Sequence, residues 1–416
     1  MMNSTLTMAG KAKMPQRPFV LHTRVVTGTG GGPEKTILNS PRYLDRYDID
    51  CACLFMRPPE DPGFATLQRR ATVAGAEIIG VDDRGALDWN VVKECARICR
   101  ERNVTVWHAH DYKSNAIGLL VRRFHKMHLV TTAHGWVRFT WRTPLYYWID
   151  RVSMRAYEQV ICVSKDLHEA CSKAGVRSSK LHQIDNAIVL EDYKTAPPTM
   201  RDKARFGFDS QRFLIGAVGR LSEEKGFDRL INVVGKLIDE GQPVGLIIAG
   251  EGHLKDALQK QIDEMQLQDH VRLAGFLPDP RELYRAIDLF VLSSIREGLP
   301  NVVLEAMASQ RPVVATNCNG IPNLVKDGDN GLIVPTADSD ALFHAIRRCI
   351  FSDDLARQLA LQGRRTVEER FSFDRRMQKV VDVYRRLSPD LAGRIARSAR
   401  AAEPVEHEDE LIGCHI

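Results

Sequence analysis

The sequence predicts an α/β protein made of two doubly wound, parallel-sheet domains. Three observations carry this: a length of 416 residues, a repeated alternation of short apolar runs with amphipathic stretches, and one break in that rhythm near the middle. The length fits two medium domains better than one. A chain of this size buries about three quarters of its unfolded surface, so it needs no disulfide or metal staple. Hydrophobic residues at 44% and charged residues at 27% exclude a collagen, a coiled coil and a wholly disordered chain.

Residues 1–17 carry no apolar periodicity and are expected to be a disordered N-terminus without a signal peptide. The first domain, 18–192, has strand-like runs at Phe19–Val25, Cys51–Phe55, Glu77–Val81, Thr105–His110, Leu129–Ala133, Gln159–Val163 and Leu181–Ile184. Amphipathic stretches such as Asn90–Arg102 and Ser114–Phe124 lie between them, as in successive βαβ units. Ala196-Pro197-Pro198 marks the linker. The second domain, 193–372, has apolar runs at Phe213–Val218, Gly245–Ala249, Val271–Leu273, Leu289–Leu292, Val313–Thr316 and Leu332–Val334. They are continuous rather than alternating, as in strands covered on both faces. Helical patterns at Ser339–Phe351, Asp354–Arg370 and Phe373–Leu387 follow. The last, within 373–390, is expected to pack back toward the first domain, and 391–416 reads as a disordered tail. Nine cysteines, odd in number and without a C-x-x-C, read as buried free thiols of a reducing cytoplasm. No apolar run approaches the roughly 20 residues that span a bilayer.

In open parallel sheets ligands bind beyond the carboxyl ends of the strands, so the loops there are where chemistry is sought. The first holds Gly28-Thr29-Gly30-Gly31-Gly32-Pro33. It fails the dinucleotide fingerprint, because Pro33 stands where the third glycine belongs, and it lacks the Gly-Lys-Ser/Thr of a phosphate loop. A turn that simply needs glycine is the competing reading. Gly219–Gly226 places Arg220 and Lys225 between glycines, a pair able to bracket a diphosphate and neutralise charge on it as it leaves. A solvated polar loop is the alternative. In Ser293–Ala308 a strand ends, a loop carries Glu297, Asn301 is expected to cap a helix, and Glu305 follows inside that helix. Such a helix start offers N–H groups to a phosphate. Glu305 is not the third residue after Asn301, where Leu304 stands, so it does not read as a capping box.

Together these segments resemble the family 4 glycosyltransferases, the large retaining class with the GT-B fold. The E-x7-E element from Glu297 to Glu305 carries the resemblance, with VGRLSEEKG, AGEG at Ala249–Gly252 and NGLIV at Asn330–Val334. In the first half, Gly30–Gly32, HAHD at His108–Asp111, AHG at Ala133–Gly135 and VSKDL at Val163–Leu167 also match. The resemblance covers about Phe19 to Leu387. It implies two Rossmann-like domains facing a central cleft. It also implies transfer of a hexose-type sugar from a nucleotide diphosphate donor, UDP- or GDP-linked, to a glycan or lipid-linked acceptor in cell-surface polysaccharide synthesis. It places Arg220 and Lys225 on the diphosphate, Glu305 on the ribose, and Glu297 on the donor sugar with backbone N–H groups of Gly298, Leu299 and Asn301. N–H groups of Val302 and Val303 would meet the distal phosphate, His134 the sugar, and Gly31 the phosphate from the other domain. Many members have an aromatic after the first glutamate, where this chain has Gly298. A sugar-nucleotide epimerase on the same scaffold and a non-catalytic sugar-nucleotide-binding protein are the rival readings.

No metal or other cofactor is expected. His108-Ala109-His110-Asp111 lacks further ligands nearby. Asp48-Ile49-Asp50 precedes a strand, at the wrong end of a sheet, and Asp338-Ser339-Asp340 reads as a helix cap. Residues 1–190 hold 27 Lys+Arg against 18 Asp+Glu, and the remainder 31 against 35, so one half is basic. Segment 113–155 concentrates eight Lys+Arg with Trp136, Phe139, Trp141, Tyr146, Tyr147 and Trp148. It suits an anionic membrane surface, hence a peripheral protein at the cytoplasmic face of the membrane. An aromatic-lined acceptor cleft is the alternative, and no nucleic-acid motif is present.

Overall fold

The computed structural model describes residues 17–28, 30–85, 88–134, 143–193, 195–297 and 300–395. Thirteen strands alternate with helices along them. In the first half run β1 (Phe19–Val25), α1 (Gly32–Leu44), β2 (Asp50–Arg57), α2 (Phe64–Ala74), β3 (Ile78–Asp82), α3 (Trp89–Glu101), β4 (Val106–Ala109), α4 (Tyr112–Val121), β5 (His128–Ala133), α5 (Thr143–Ala156), β6 (Gln159–Cys162), α6 (Lys165–Lys173) and β7 (Leu181–Gln183). They build one seven-stranded sheet in the order β3-β2-β1-β4-β5-β6-β7. Order reverses between β1 and β4, the switch point where such sheets open a crevice.

In the second half run α7 (Met200–Ala204), β8 (Phe213–Val218), α8 (Phe227–Asp239), β9 (Val244–Ala249), α9 (Lys255–Glu264), β10 (Val271–Gly275), α10 (Arg281–Ala286), β11 (Leu289–Leu292), α11 (Asn301–Ala308), β12 (Val313–Thr316), β13 (Leu332–Val334), α12 (Ser339–Phe351), α13 (Asp353–Arg370), α14 (Phe373–Arg385) and α15 (Pro389–Arg394). The six-stranded sheet has the order β10-β9-β8-β11-β12-β13, reversing between β8 and β11.

The continuous apolar runs have the expected cause. Successive residues of a strand point to opposite faces, and here both faces are covered. Ile215, Ala217, Leu289 and Val291 enter one core with α8 and α12. Their neighbours Leu214, Phe290 and Leu292 enter another with α10 and α11. The chain divides into two compact units, Met1–Val160 with Ala174–Lys180 and Val380–Ile416, and Ile161–Lys173 with Leu181–Lys379.

Local chemistry explains several boundaries. Asp338 accepts from Ala341 N at 2.9 Å and caps α12. Asp111 accepts from the backbone N–H groups of Lys113 and Ser114, each at 2.9 Å, and caps α4. Asp48 and Asp50 sit at the start of β2 beside Arg17. α15 extends into the stretch read as tail and buries Leu391. All eight described cysteines are free and all but Cys51 are buried. Among the described residues no helix is long and apolar enough to cross a membrane.

Candidate active site

The glycine-bounded loop after β8 lies against the loops that follow β9 and β11. Gly219 N–H donates to Ala249 O at 3.0 Å and Leu221 N–H to Glu251 O at 2.9 Å. A side chain on Gly250 would lie 1.8 Å from Gly219 O, and one on Gly252 2.3 Å from Leu221 O. The glycines of AGEG therefore permit backbone to meet backbone. Gly226 ends the loop with φ 61°, the left-handed region that favours glycine. A side chain there would also press within 2.5 Å of Ser293 O.

This packing brings together residues 72 positions apart. Lys225 Nζ lies 2.5 Å from Glu297 Oε1, and Ser294 Oγ donates to the same oxygen at 2.7 Å. Ser293 Oγ holds Lys225 O at 2.8 Å, and Ile295 N–H donates to Glu224 O at 2.8 Å. The Lys225 and Glu297 side chains are only 18% and 11% exposed, so their attraction is screened less than that of a surface pair. Arg220, in the same loop, is exposed and pairs with no carboxylate among the described residues.

Asn301 is a correction. Pro300, extended at φ −77° and ψ 115°, takes the cap position of α11, and Asn301 is the first helical residue. Proline's fixed φ and missing N–H suit a helix start, where that donor is unneeded. The displaced Asn301 Oδ1 is buried with no hydrogen-bond partner. At the same start Val303 N–H donates to Pro300 O at 3.1 Å. Gly298 and Leu299 lie outside the described residues.

Glu305, one turn further on, is buried and accepts from Tyr284 Oη at 2.9 Å. Burial, with the negative charge of Glu305 next, holds the Tyr284 phenol well above its usual range, so it remains the donor. Arg311 Nε fixes Tyr284 from behind through its carbonyl at 2.7 Å. Tyr284, Ser294 and Arg311 were not among the residues picked out by sequence. Nothing local to Tyr284 or Arg311 signals the role, because each acts on a residue more than twenty positions away, whereas Ser294 stands three residues before Glu297.

The remaining two site residues belong to the other unit. Gly31 N–H donates to Glu34 Oε2 at 2.6 Å, while Glu34 Oε1 takes Arg24 Nε at 2.6 Å. Gly28 N–H donates to Asp61 at 2.8 Å, and Gly63 packs on Gly28 so tightly that a side chain on it would lie 2.1 Å from Gly28 C. Gly28 and Gly30 are left-handed, whereas Gly31 is not. Half-buried His134 follows β5, its Nε2 2.9 Å from His110 Nδ1. Of the basic aromatic segment, Trp136, Phe139 and Trp141 lie outside the described residues, the side chains of Tyr146 and Tyr147 are not described, and Trp148 is 63% exposed.

Two family models match. One described as Glycosyl transferases group 1 matches residues 199–366, and one described as Glycosyltransferase Family 4 matches residues 30–192. The chain is 27% identical over 307 residues to the putative glycosyltransferase EpsD of Bacillus subtilis, covering 71% of this chain and 80% of that one. It is 25% identical over 300 residues to an Escherichia coli UDP-Gal:alpha-D-GlcNAc-diphosphoundecaprenol alpha-1,3-galactosyltransferase, covering 69% and 77%. Its fold matches that of Anabaena HepE, solved with UDP, with a TM-score of 0.73, 22% identity and coverage of 88% and 98%. With two Rossmann-like parallel-sheet domains and both halves matched, the chain belongs to the glycosyltransferases of the GT-B fold.

Proposed function

We propose that this enzyme is a retaining glycosyltransferase of family 4 that uses a nucleotide diphosphate sugar, UDP- or GDP-linked. Its acceptor is a glycan or a lipid-linked glycan of cell-surface polysaccharide synthesis. The observation that carries this is the Lys225–Glu297 pair, which joins the loop after β8 to the loop entering α11. A cation for the diphosphate and a carboxylate for the sugar thus stand side by side at a helix N-terminus. The names of the relatives support the acceptor class. They include a lipopolysaccharide core biosynthesis glycosyltransferase of Rhizobium meliloti and the diphosphoundecaprenol galactosyltransferase.

In this reading Arg220 and Lys225 bind the diphosphate with the first N–H groups of α11, and Glu305 takes the ribose hydroxyls. Glu297 and His134 bind the sugar. The bond from the anomeric carbon to the phosphate oxygen breaks, and its electron pair leaves with the diphosphate. The acceptor hydroxyl bonds to the same face of that carbon and passes its proton to the departing phosphate oxygen. Charge on the leaving group grows in the transition state, so the two cations lower the barrier rather than merely tightening binding.

A thermal-shift panel of UDP, GDP and their sugar conjugates tests the reading. A nucleotide at 100 times its dissociation constant adds about 2.7 kcal/mol of stability, and no shift with any of them would refute it. Full turnover in the presence of a chelator is the expected result. Activity lost to the chelator and restored by Mg²⁺ or Mn²⁺ would contradict the metal-free donor site.

A further inference from the structure

The first unit holds a chain of histidines of which the reading above uses only His134. His22 on β1 stands in register opposite His108 on β4, and His110 follows two residues later on the same face. His22 Nδ1 lies 2.8 Å from His110 Nε2, and His110 Nδ1 lies 2.9 Å from His134 Nε2. His108 stacks on His110 with ring centroids 4.6 Å apart, and its own nitrogens bond Tyr384 Oη at 2.6 Å and Thr132 Oγ1 at 2.8 Å. His22, His108 and His110 are all buried and close enough together to hold a metal ion. Yet both nitrogens of His108 and of His110 are already engaged in hydrogen bonds, which a metal would have to displace.

The protonation of His110 decides what the chain can do. Its neighbours are His22, His108 and His134 and the guanidinium of Arg24. Burial first, and these groups after it, hold its pKa well below the usual histidine range. A neutral imidazole has one N–H and one bare nitrogen. His110 therefore donates to one neighbour and accepts from the other. If it donates to His134 Nε2, the proton of His134 sits on Nδ1. If it accepts from His134, that proton sits on Nε2 and the chain runs the other way, toward His22. For a neutral His134, its tautomer is dictated from behind in each arrangement.

We propose that His110 is a positioning residue that fixes the tautomer of His134, and so decides whether His134 meets the donor sugar as a hydrogen-bond donor or acceptor. This rests on the reading that places His134 at that sugar. A wrong tautomer leaves shape and charge intact but exchanges a lone pair for an N–H at the nitrogen facing the sugar, so its cost falls on turnover.

The test is long-range ¹⁵N–¹H spectroscopy of the full-length enzyme labelled with ¹⁵N-histidine, with His134 assigned by its loss in His134→Gln. The wild-type enzyme shows one His134 tautomer. His110→Phe shows a mixture and loses turnover roughly 10–100-fold, the size expected for removing a histidine's orienting partner, with KM changed less. His110→Asn, whose carboxamide can stand in for one ring nitrogen, regains most of the loss. A mixture in the wild type, a tautomer indifferent to His110→Phe, or stoichiometric metal in the purified protein would overturn the proposal. Should His110→Phe fail to fold, the wild-type spectrum and that of His22→Phe, which cuts the chain one residue back, still decide it. Full turnover in His134→Gln would instead refute the placement of His134 at the sugar, while leaving the tautomer result to stand.

Discussion

The two glycine-bounded loops that each follow the first strand of a sheet solve opposite problems. In the first unit, Gly31 N–H is taken by Glu34, Gly28 N–H by Asp61, and Arg24 by Glu34. Each of these three groups answers to a carboxylate within the protein. In the second unit, Lys225 meets Glu297, but among the described residues Arg220 is exposed without a carboxylate and Asn301 Oδ1 is buried without a partner. Buried polar groups are normally satisfied. The named N–H groups of the first loop are therefore held within the protein, while the second loop, shaped by its glycines, leaves Arg220 exposed for the role proposed above.

The comparison breaks most visibly if charge is removed from the second loop. Arg220→Ala or Lys225→Ala lowers turnover by about 10²–10³-fold, the cost of losing one stabiliser of transition-state charge. Steady-state kinetics with a donor fixed by the thermal-shift panel checks this, and near-normal rates in both variants would return the loop to a solvated turn. In the first loop the expected damage is to the fold. Gly63→Ala drives a methyl into Gly28, and overpacking of this kind costs about 1–3 kcal/mol. Denaturant unfolding reads the loss, and unchanged stability would show that the Gly28 turn gives way freely.

A smaller effect sharpens the contrast through pH. His110 is neutral when folded, because its pKa is lowered, whereas in the unfolded chain it takes up a proton near 6.5. The unfolded state therefore binds more protons as pH falls through that value, and stability declines there. The slope of unfolding free energy against pH below 6.5 is expected to be shallower in His110→Phe than in the wild type. An identical slope in both would mean that other groups, such as His22, His108 or His134, carry the dependence.

Much of the fold was legible because its signal is local. Thirteen strand-like runs became thirteen strands, the six of the second unit reading as continuous apolar runs because both faces of that sheet are covered. The Arg220–Lys225 loop and the glutamates at 297 and 305 stood out as short patterns after a strand end, but only the family resemblance gave them roles. What escaped was long-range. Tyr284 reaches Glu305 from another helix, Lys225 reaches Glu297 across 72 positions, and His22 looks like a lone strand histidine until its register with His108 is known. Two signals could have been read: Glu34 three residues beyond Gly31, as in a capping box, and Asp61 two residues before Gly63, as in an Asx turn. Asn301 misled because its side chain is a good cap, while Pro300 before it holds the geometry.

In the proposed function the two glutamates divide the donor between them, Glu297 on the transferred sugar and Glu305 on the nucleotide. Isothermal titration with the free nucleoside diphosphate tests it most directly, because that ligand carries ribose and phosphates but no sugar. A lost ribose contact is uniform binding and shows as weaker affinity, whereas a lost sugar contact shows in turnover. Glu305→Gln is expected to bind the diphosphate more weakly, while Glu297→Gln binds it nearly as the wild type does. Equal weakening in both variants, or a Glu305→Gln enzyme with a lower melting temperature and unchanged affinity, would contradict it.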